Sequence, residues 1–306
     1  MVMQLNHLLR TVTDHLRGAP GVINPNWEAC LLVGFYLQRG PSQLLLSSML
    51  GSREELQEHV CQSILEGLER RRSGEPLAYI LGYKEFYSRV FHVSPGVFIP
   101  RPESELLVER AIHWCRSHAT GSTEVWNVAD LGCGSGAIGI TIAVEIKECS
   151  VTLIDNCPKA LEVSLRNISS FANREGKAFL NRIKCLLMDL NQPARFAEQY
   201  HMILANPPYV DDADPSVDPW VRQFEPHHAV FATDSGFFCV RKWLEWALIS
   251  LKRGGWLGIE HGCQQGPMVK CEMERLGFMD VTPIYDYHNF WRHTVGIKPN
   301  HGNSMI

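Results

Sequence analysis

Apolar residues recur at two different periods along this chain, and the period changes near residue 75. In the first stretch Leu5, Leu8, Leu9, Val12 and Leu16 follow helical spacing, as do Leu56, Val60, Ile64, Leu65 and Leu68. Gly18 to Asn26 and Gly40-Pro41-Ser42 interrupt the pattern, so residues 1–75 predict a small bundle of helices. Arg70-Arg71-Arg72 closes the last of them, where three cations complement the negative end of a helix dipole. This stretch carries no chemistry of its own.

Residues 76–100 have a different texture. From Lys84 to Ile99 aromatic and β-branched residues dominate, with turn signals at Ser88-Arg89 and Pro95-Gly96, which predicts a hairpin linking two domains. Pro102, Glu103 and Glu105 are residue types that open helices, and one is expected from there to about His118. Residues 101–300 then alternate apolar and amphipathic runs. Strands are expected over 125–131, 151–154, 183–187, 202–205 and 256–259, and helices over 137–146, 159–173, 237–251 and 264–276. Two β-rich runs, 279–285 and 291–297, finish the chain. The pattern predicts an α/β fold: a seven-stranded, mostly parallel, doubly wound sheet with a small N-terminal helical bundle and a linking β-hairpin.

Composition removes several classes. At 306 residues, 45% hydrophobic and 20% charged, the chain has the make-up of an ordinary globular protein with a substantial core. No apolar stretch reaches the roughly 18 residues a membrane helix needs, and the first eighteen residues lack the apolar centre of a secretory signal. The ten cysteines are scattered without a CxxC pair, so a reducing, cytoplasmic setting is expected. No His or Cys spacing on a recognisable element fits a metal site, and none is expected. A net charge of -4 disfavours a broad grip on phosphate backbones.

Three places carry candidate chemistry. Asn206-Pro207-Pro208-Tyr209 follows the apolar run Met202–Ala205, so Asn206 stands at the end of a buried strand. Two prolines fix φ and remove two N–H donors. They leave a ridge of acceptors, the Asn206 side-chain oxygen and the Pro207 carbonyl, beside the face of Tyr209. That ridge can receive a planar NH2 group; an ordinary Pro-Pro turn is the alternative. Second, Gly132-Cys133-Gly134-Ser135-Gly136 lies where the first strand meets its helix, so a ligand can approach the backbone and the positive helix end. Its spacing differs from the dinucleotide G-x-G-x-x-G. Asp130 precedes it, a pattern that suits an amino acid joined to a nucleoside better than a pyrophosphate. Third, Asp155 ends the second strand, nineteen residues beyond Gly136, where a carboxylate can take both hydroxyls of a ribose. It could instead cap the following helix, a role Asn156 could fill. Asp189, after the third strand, either meets an adenine amino group or makes a turn.

Together these residues resemble S-adenosyl-L-methionine-dependent methyltransferases acting on a planar amino group. More narrowly, from about Gly74 to Gly296 the chain resembles the protein-(glutamine-N5) methyltransferases that modify peptide chain release factors. The stretches that carry the likeness are Gly74–Gly82, Phe98–Glu105, Asp155 with Pro158–Leu161 and Asn167, and Asn206–Tyr209. Glu225-Pro226 and Ile259-Glu260-His261-Gly262 with Gln264 also fit. The sister enzymes that methylate a ribosomal-protein glutamine share Asn-Pro-Pro-Tyr but lack a counterpart of Pro102–Glu105. Departures are Leu190, where many members have an aromatic residue, and His261, where a small apolar residue is common.

The resemblance implies a donor site of Gly132, Cys133, Gly134, Ser135, Gly136, Asp155, Asp189, Leu190 and Asn206. It implies catalysis by Asn206, Pro207 and Tyr209, with Asn206, Pro207, Pro208 and Tyr209 binding the substrate, the glutamine of a release factor's GGQ motif. Phe98, Arg101 and Glu103 are weaker candidates for the donor's methionine end or the substrate. The N-terminal helices would help hold the protein substrate, and a monomer without nucleic-acid or membrane partners is expected. Two other readings stand beside this one. The same tetrapeptide accepts an exocyclic NH2 of a flipped base, which the acidic charge counts against. A non-catalytic binding module is the other, which the intact loop, Asp155 and Asn206 count against.

Overall fold

The computed structural model describes residues 3–118, 125–192 and 198–300, so what the sequence predicts for Met1 and Val2 lies outside the described residues. These form two compact units: those up to Tyr83 together with Val217–Phe224, and those from Lys84 to Ser216 together with those from Glu225 onward.

In the first unit, helices α1 (Leu5–Leu16), α2 (Pro25–Leu37), α3 (Pro41–Met49), α4 (Glu58–Arg72) and the short α5 (Leu77–Leu81) enclose a core. It is built from Leu5, Leu8, Val12, Leu16, Leu32, Leu44, Ile64 and Leu68. Helix α2 starts where Asn24 accepts the Trp27 N–H at 3.0 Å and Pro25 supplies a preset φ. The stripe expected from residue 56 is shorter than its spacing predicts. Leu56 is buried, but in a two-residue antiparallel pairing of Glu55–Leu56 with Met3–Gln4, and Leu65 is half-exposed. The three arginines do more than balance a dipole. Arg70 pairs with Glu75, Arg72 with Glu69, and buried Arg71 with Glu28.

From Lys84 the second unit opens with a hairpin whose strands are β1 (Tyr83–Phe86) and β2 (Arg89–His92). Its turn falls at Tyr87-Ser88, one residue earlier than the sequence predicts, with φ of 52° and 55°. Both central residues of the tightest hairpin turn need positive φ. Tyrosine hides that signal, and the Glu105 carboxylate steadies it by accepting the Tyr87 N–H at 2.9 Å.

Helix α6 (Ser104–His118) leads into the sheet. The chain continues through β3 (Trp126–Leu131), α7 (Ala137–Glu145), β4 (Cys149–Asp155), α8 (Pro158–Glu175), β5 (Ile183–Leu187) and β6 (Tyr200–Ala205). It closes with α9 (Phe238–Ser250), β7 (Leu251–Glu260), α10 (Gly266–Arg275), β8 (Met279–Tyr285) and β9 (Trp291–Ile297). Spatial order is β8-β9-β7-β6-β3-β4-β5; the two antiparallel pairs, β7 with β9 and β8 with β9, both involve β9, and the other pairs are parallel. The seven-stranded, doubly wound sheet matches the fold the sequence predicts.

Alternation along the strands divides the core into two layers. Val128, Val151, Leu153, Met202 and Leu204 meet α6, α7 and α8 on one face. Ala129, Leu131, Ile154, Ile203, Ala205 and Ile259 meet α9 and α10 on the other. Covering both faces explains why these strands read as near-continuous apolar runs. Strand order reverses on either side of β3, so the carboxyl ends of β3, β4 and β6 open onto a crevice, the usual ligand position in such sheets.

Candidate active site

Register assembles the site. Leu131 is aligned with Ile154 and Ala205, Ala205 with Ile259, and Asp155 with Leu187. The residues that follow, Gly132, Asp189 and Asn206, therefore reach one sheet edge with Asp155 and Glu260. The glycine loop is stitched to β4 where the Ile154 carbonyl accepts the N–H groups of Gly132 and Cys133 at 2.8 and 3.0 Å. From α8, Ser164 donates to the Gly134 carbonyl at 2.9 Å, and Asn167 donates to the Ser135 carbonyl at 2.8 Å. Asn167 also bonds both backbone groups of His92, tying the hairpin to the loop.

All three loop glycines have positive φ. At Gly134 a Cβ would meet only the Phe98 Cβ, at 4.0 Å, so a side chain there would project into cleft space. That cleft is lined by Phe98, Gly134, Asp155, Leu190, Asn206 and Trp243 among others. A second, smaller cleft shares Phe98, Gly132, Gly134 and Asn206 with it, and adds Ser104, Cys133 and Ser135. Asn206 stands where the two meet.

Asp155 is buried and uses one lone pair of each oxygen: Oδ2 accepts the Gly134 N–H and Oδ1 the Cys157 N–H, both at 2.9 Å. The second of these is a local turn ahead of α8 and not a cap: Cys157 is the N-cap residue, no side chain caps the helix, and neither Asp155 nor Asn156 takes that role, while Asp155 lines the cleft. Burial pushes its carboxyl up, against the pull of those two N–H groups. Asp189 makes the turn foreseen as one alternative, accepting the Asn191 N–H at 2.9 Å, and it also lines the cleft. Buried Leu190 supplies an apolar wall beside it. Asp130 lies deeper, its Oδ2 accepting the Gly139 N–H at 2.8 Å, and burial pushes its carboxyl up to about 7.

The residues present fit a donor made of a nucleoside and an amino acid. Asp155 retains lone pairs for ribose hydroxyls, Met188 and Leu190 give an apolar wall for a base, and the Gly134 cradle admits close approach of the ligand. Ser135 Oγ, buried and without a partner among the described residues, lines the smaller cleft as a spare hydroxyl.

The tetrapeptide divides. Asn206 and Pro208 line the larger cleft, whereas Pro207 and Tyr209 line neither. The Tyr209 hydroxyl instead donates to Glu260 Oε1 at 3.3 Å, and burial together with the Glu260 charge pushes its phenol up. Gln265 holds the Tyr209 carbonyl from α10's start at 3.0 Å. Phe98 lines both clefts, and Arg101 stacks on its ring while pairing with buried Glu225. Glu103 lies in a different groove, with Glu109 and Tyr287.

Four residues without an assigned role in the sequence reading also belong here: Ser104, Trp243, Glu260 and His293. Glu260 is 1% exposed and accepts from Ser104 Oγ at 2.6 Å and His293 Nε2 at 3.2 Å. Burial opposes its ionisation, yet the hydrogen bonds from His293, Ser104 and Tyr209 outweigh it and hold the carboxyl below the usual range. A carboxylate at the end of the apolar run Trp256–Ile259 is a readable signal. His293 is not readable, because only antiparallel register brings it opposite Glu260.

Comparison with known proteins gives matches over most of the chain. Residues 115–240 match the family model "Methyltransferase small domain" and residues 7–82 match "PrmC N-terminal domain". The release factor glutamine methyltransferase of Salmonella typhimurium is 32% identical over 294 residues, covering 96% of this chain and 99% of that one. The Escherichia coli enzyme of the same name is 33% identical with the same coverage. The one from Vibrio cholerae is 32% identical over 303 residues, with 97% of each chain covered.

Proposed function

The chain belongs to the release factor glutamine methyltransferases, and from that premise we propose that it methylates the side-chain amide nitrogen (N5) of a release-factor glutamine, that of the GGQ motif. S-adenosyl-L-methionine is the cofactor; when bound, its sulfonium supplies an activated methyl group. The observation that carries the reading is the position of Asn206 at the junction of the two clefts, next to the glycine loop and Asp155.

A carboxamide nitrogen is a poor nucleophile because its lone pair is delocalised. The protein's task is therefore to orient and polarise it. In this reading Asn206 Oδ1, on a residue that lines both clefts, accepts a hydrogen bond from the substrate NH2, which favours positive charge on nitrogen; the Pro207 carbonyl, on a residue that lines neither, would be the second acceptor once the substrate is seated. The two prolines keep those acceptors preorganised. Tyr209 contributes by anchoring the tetrapeptide. The donor is held by residues 132–136, Asp155, Asp189 and Leu190, with the spent proton leaving to water. The helices of the first unit help hold the protein substrate. All ten cysteines are free thiols, which supports a cytoplasmic setting, and the protein is read as a monomer.

Purified protein given labelled S-adenosyl-L-methionine with either a release factor or RNA tests the reading. Label on a glutamine of the release factor is expected; label in RNA alone overturns it.

A further inference from the structure

The Glu260 cluster fixes the direction of a hydrogen-bond chain that ends on Asn206. An ionised carboxylate only accepts hydrogen bonds. Ser104 has one hydroxyl hydrogen, and at 2.6 Å from Glu260 Oε2 it is committed there. Its oxygen then has only lone pairs left, so the Asn206 atom 3.3 Å away must be the donor Nδ2. The amide oxygen Oδ1 is thereby left as the free end, on a residue that lines both clefts. We infer that Glu260 and Ser104 are positioning residues that set which end of the Asn206 amide meets the substrate, so that the site accepts an NH2 group and repels a carbonyl oxygen.

The inference rests on the proposed reaction and deepens it. With the amide inverted, Nδ2 would face the substrate NH2, donor against donor, and the bond that polarises the nitrogen would be lost. Rotation about the Cβ–Cγ bond costs an isolated asparagine little. The direction must therefore come from a partner whose own role is fixed. Glu260 is such a partner. Tyr209 and His293 donate to the same carboxylate, so it faces three donors and presents only acceptors to Ser104. Ser104 and Glu260 are 2% and 1% exposed, which keeps water from substituting for either. The alignment of Ala205 with Ile259 sets Glu260 beside Asn206, and the pairing of Glu260 with His293 in β9 secures it from the other side.

The test uses full-length protein, labelled S-adenosyl-L-methionine and a full-length release factor, with donor affinity measured separately. Ser104→Ala should lower kcat about tenfold or more while donor Kd and the KM for release factor stay within about twofold. Ser104→Thr, which keeps the hydroxyl, should recover most of the rate. Ser104→Cys, which keeps the volume but is a weak acceptor, should behave like Ser104→Ala and replaces it if the alanine variant does not fold. In an Asn206→Ala background, followed by single turnover, Ser104→Ala should cost less than about twofold more, because its partner is gone. A merely structural role would cost the same in both backgrounds, and that result overturns the inference. So does a Ser104→Ala enzyme with wild-type kcat. A wild-type protein that transfers no methyl to release factor removes the proposed reaction as well, which separates the two failures.

Discussion

Two buried charges, one in each unit, show how a charge that holds a fold differs from one that serves a site. Arg71 is 4% exposed and closes on itself: its guanidinium meets Glu28 at 2.8 Å and the Pro20 carbonyl at 2.8 Å, all within the helical unit. Glu260 is as deeply buried and has as many partners, but its network ends on a residue that lines two clefts. Burial and pairing alone do not mark function. What marks it is a chain of hydrogen bonds with fixed direction that leaves one polar atom directed by the fold yet uncommitted to it.

Substitutions can break that distinction, beginning with the end of the chain. Asn206→Ala should lower kcat two to three orders of magnitude, with donor affinity changed far less. Steady-state kinetics beside donor titration checks this, and a kcat near wild type would dissolve the contrast. Arg71→Ala should instead cost roughly 2–4 kcal/mol of stability by leaving Glu28 partly buried without its cation. Denaturant unfolding measures that loss, while donor Kd at low temperature should stay at the wild-type value. Asp155→Ala tests a third kind of buried charge, one that the proposed function shares between fold and ligand. Donor Kd should rise about tenfold or more, as expected for losing hydrogen bonds to a charged group, and calorimetric titration reads it directly.

The smallest effect concerns pH and Asp130, which faces no cation among the described residues. Its carboxyl is pushed up by burial from 3.8 to about 7. A raised acid stabilises the fold most below its unfolded value, and that contribution disappears as pH rises through about 7. Asp130→Asn, which can still accept the Gly139 N–H, should flatten the decline in unfolding free energy between about pH 4 and 7. Glu260, held below the usual range, has the opposite sign: its contribution is present at neutral pH and is lost only as acid protonates it. Parallel slopes for wild type and Asp130→Asn would remove the assignment.

Much of this fold is legible in the sequence because strands covered on both faces must be apolar throughout. The central runs 125–131 and 202–205 fall within two residues of the observed β3 and β6. The runs at 183–187, 279–285 and 291–297 also fall at the observed bounds, although the first and second are partly exposed edge strands. The hairpin turn was less legible, since positive φ at Tyr87 depends on a carboxylate eighteen residues away. In the site, Asn206 and Asp155 announce themselves by standing at strand ends. Ser104 does not, because Glu103 and Glu105 around it already account for a helix start. His293 depends on a strand pairing 33 residues distant in the chain from Glu260, and no local pattern encodes such a register. Sequence reading therefore finds the groups that would touch ligand sooner than the groups that aim them.

The most direct measurement is mass spectrometry of release factors from cells with and without this protein. A methyl group on the side-chain amide of one release-factor glutamine, present only with the protein and lost with Asn206→Ala, is the predicted result. Identical, unmodified glutamines in both samples, or a methyl group that persists in the Asn206→Ala strain, would contradict it.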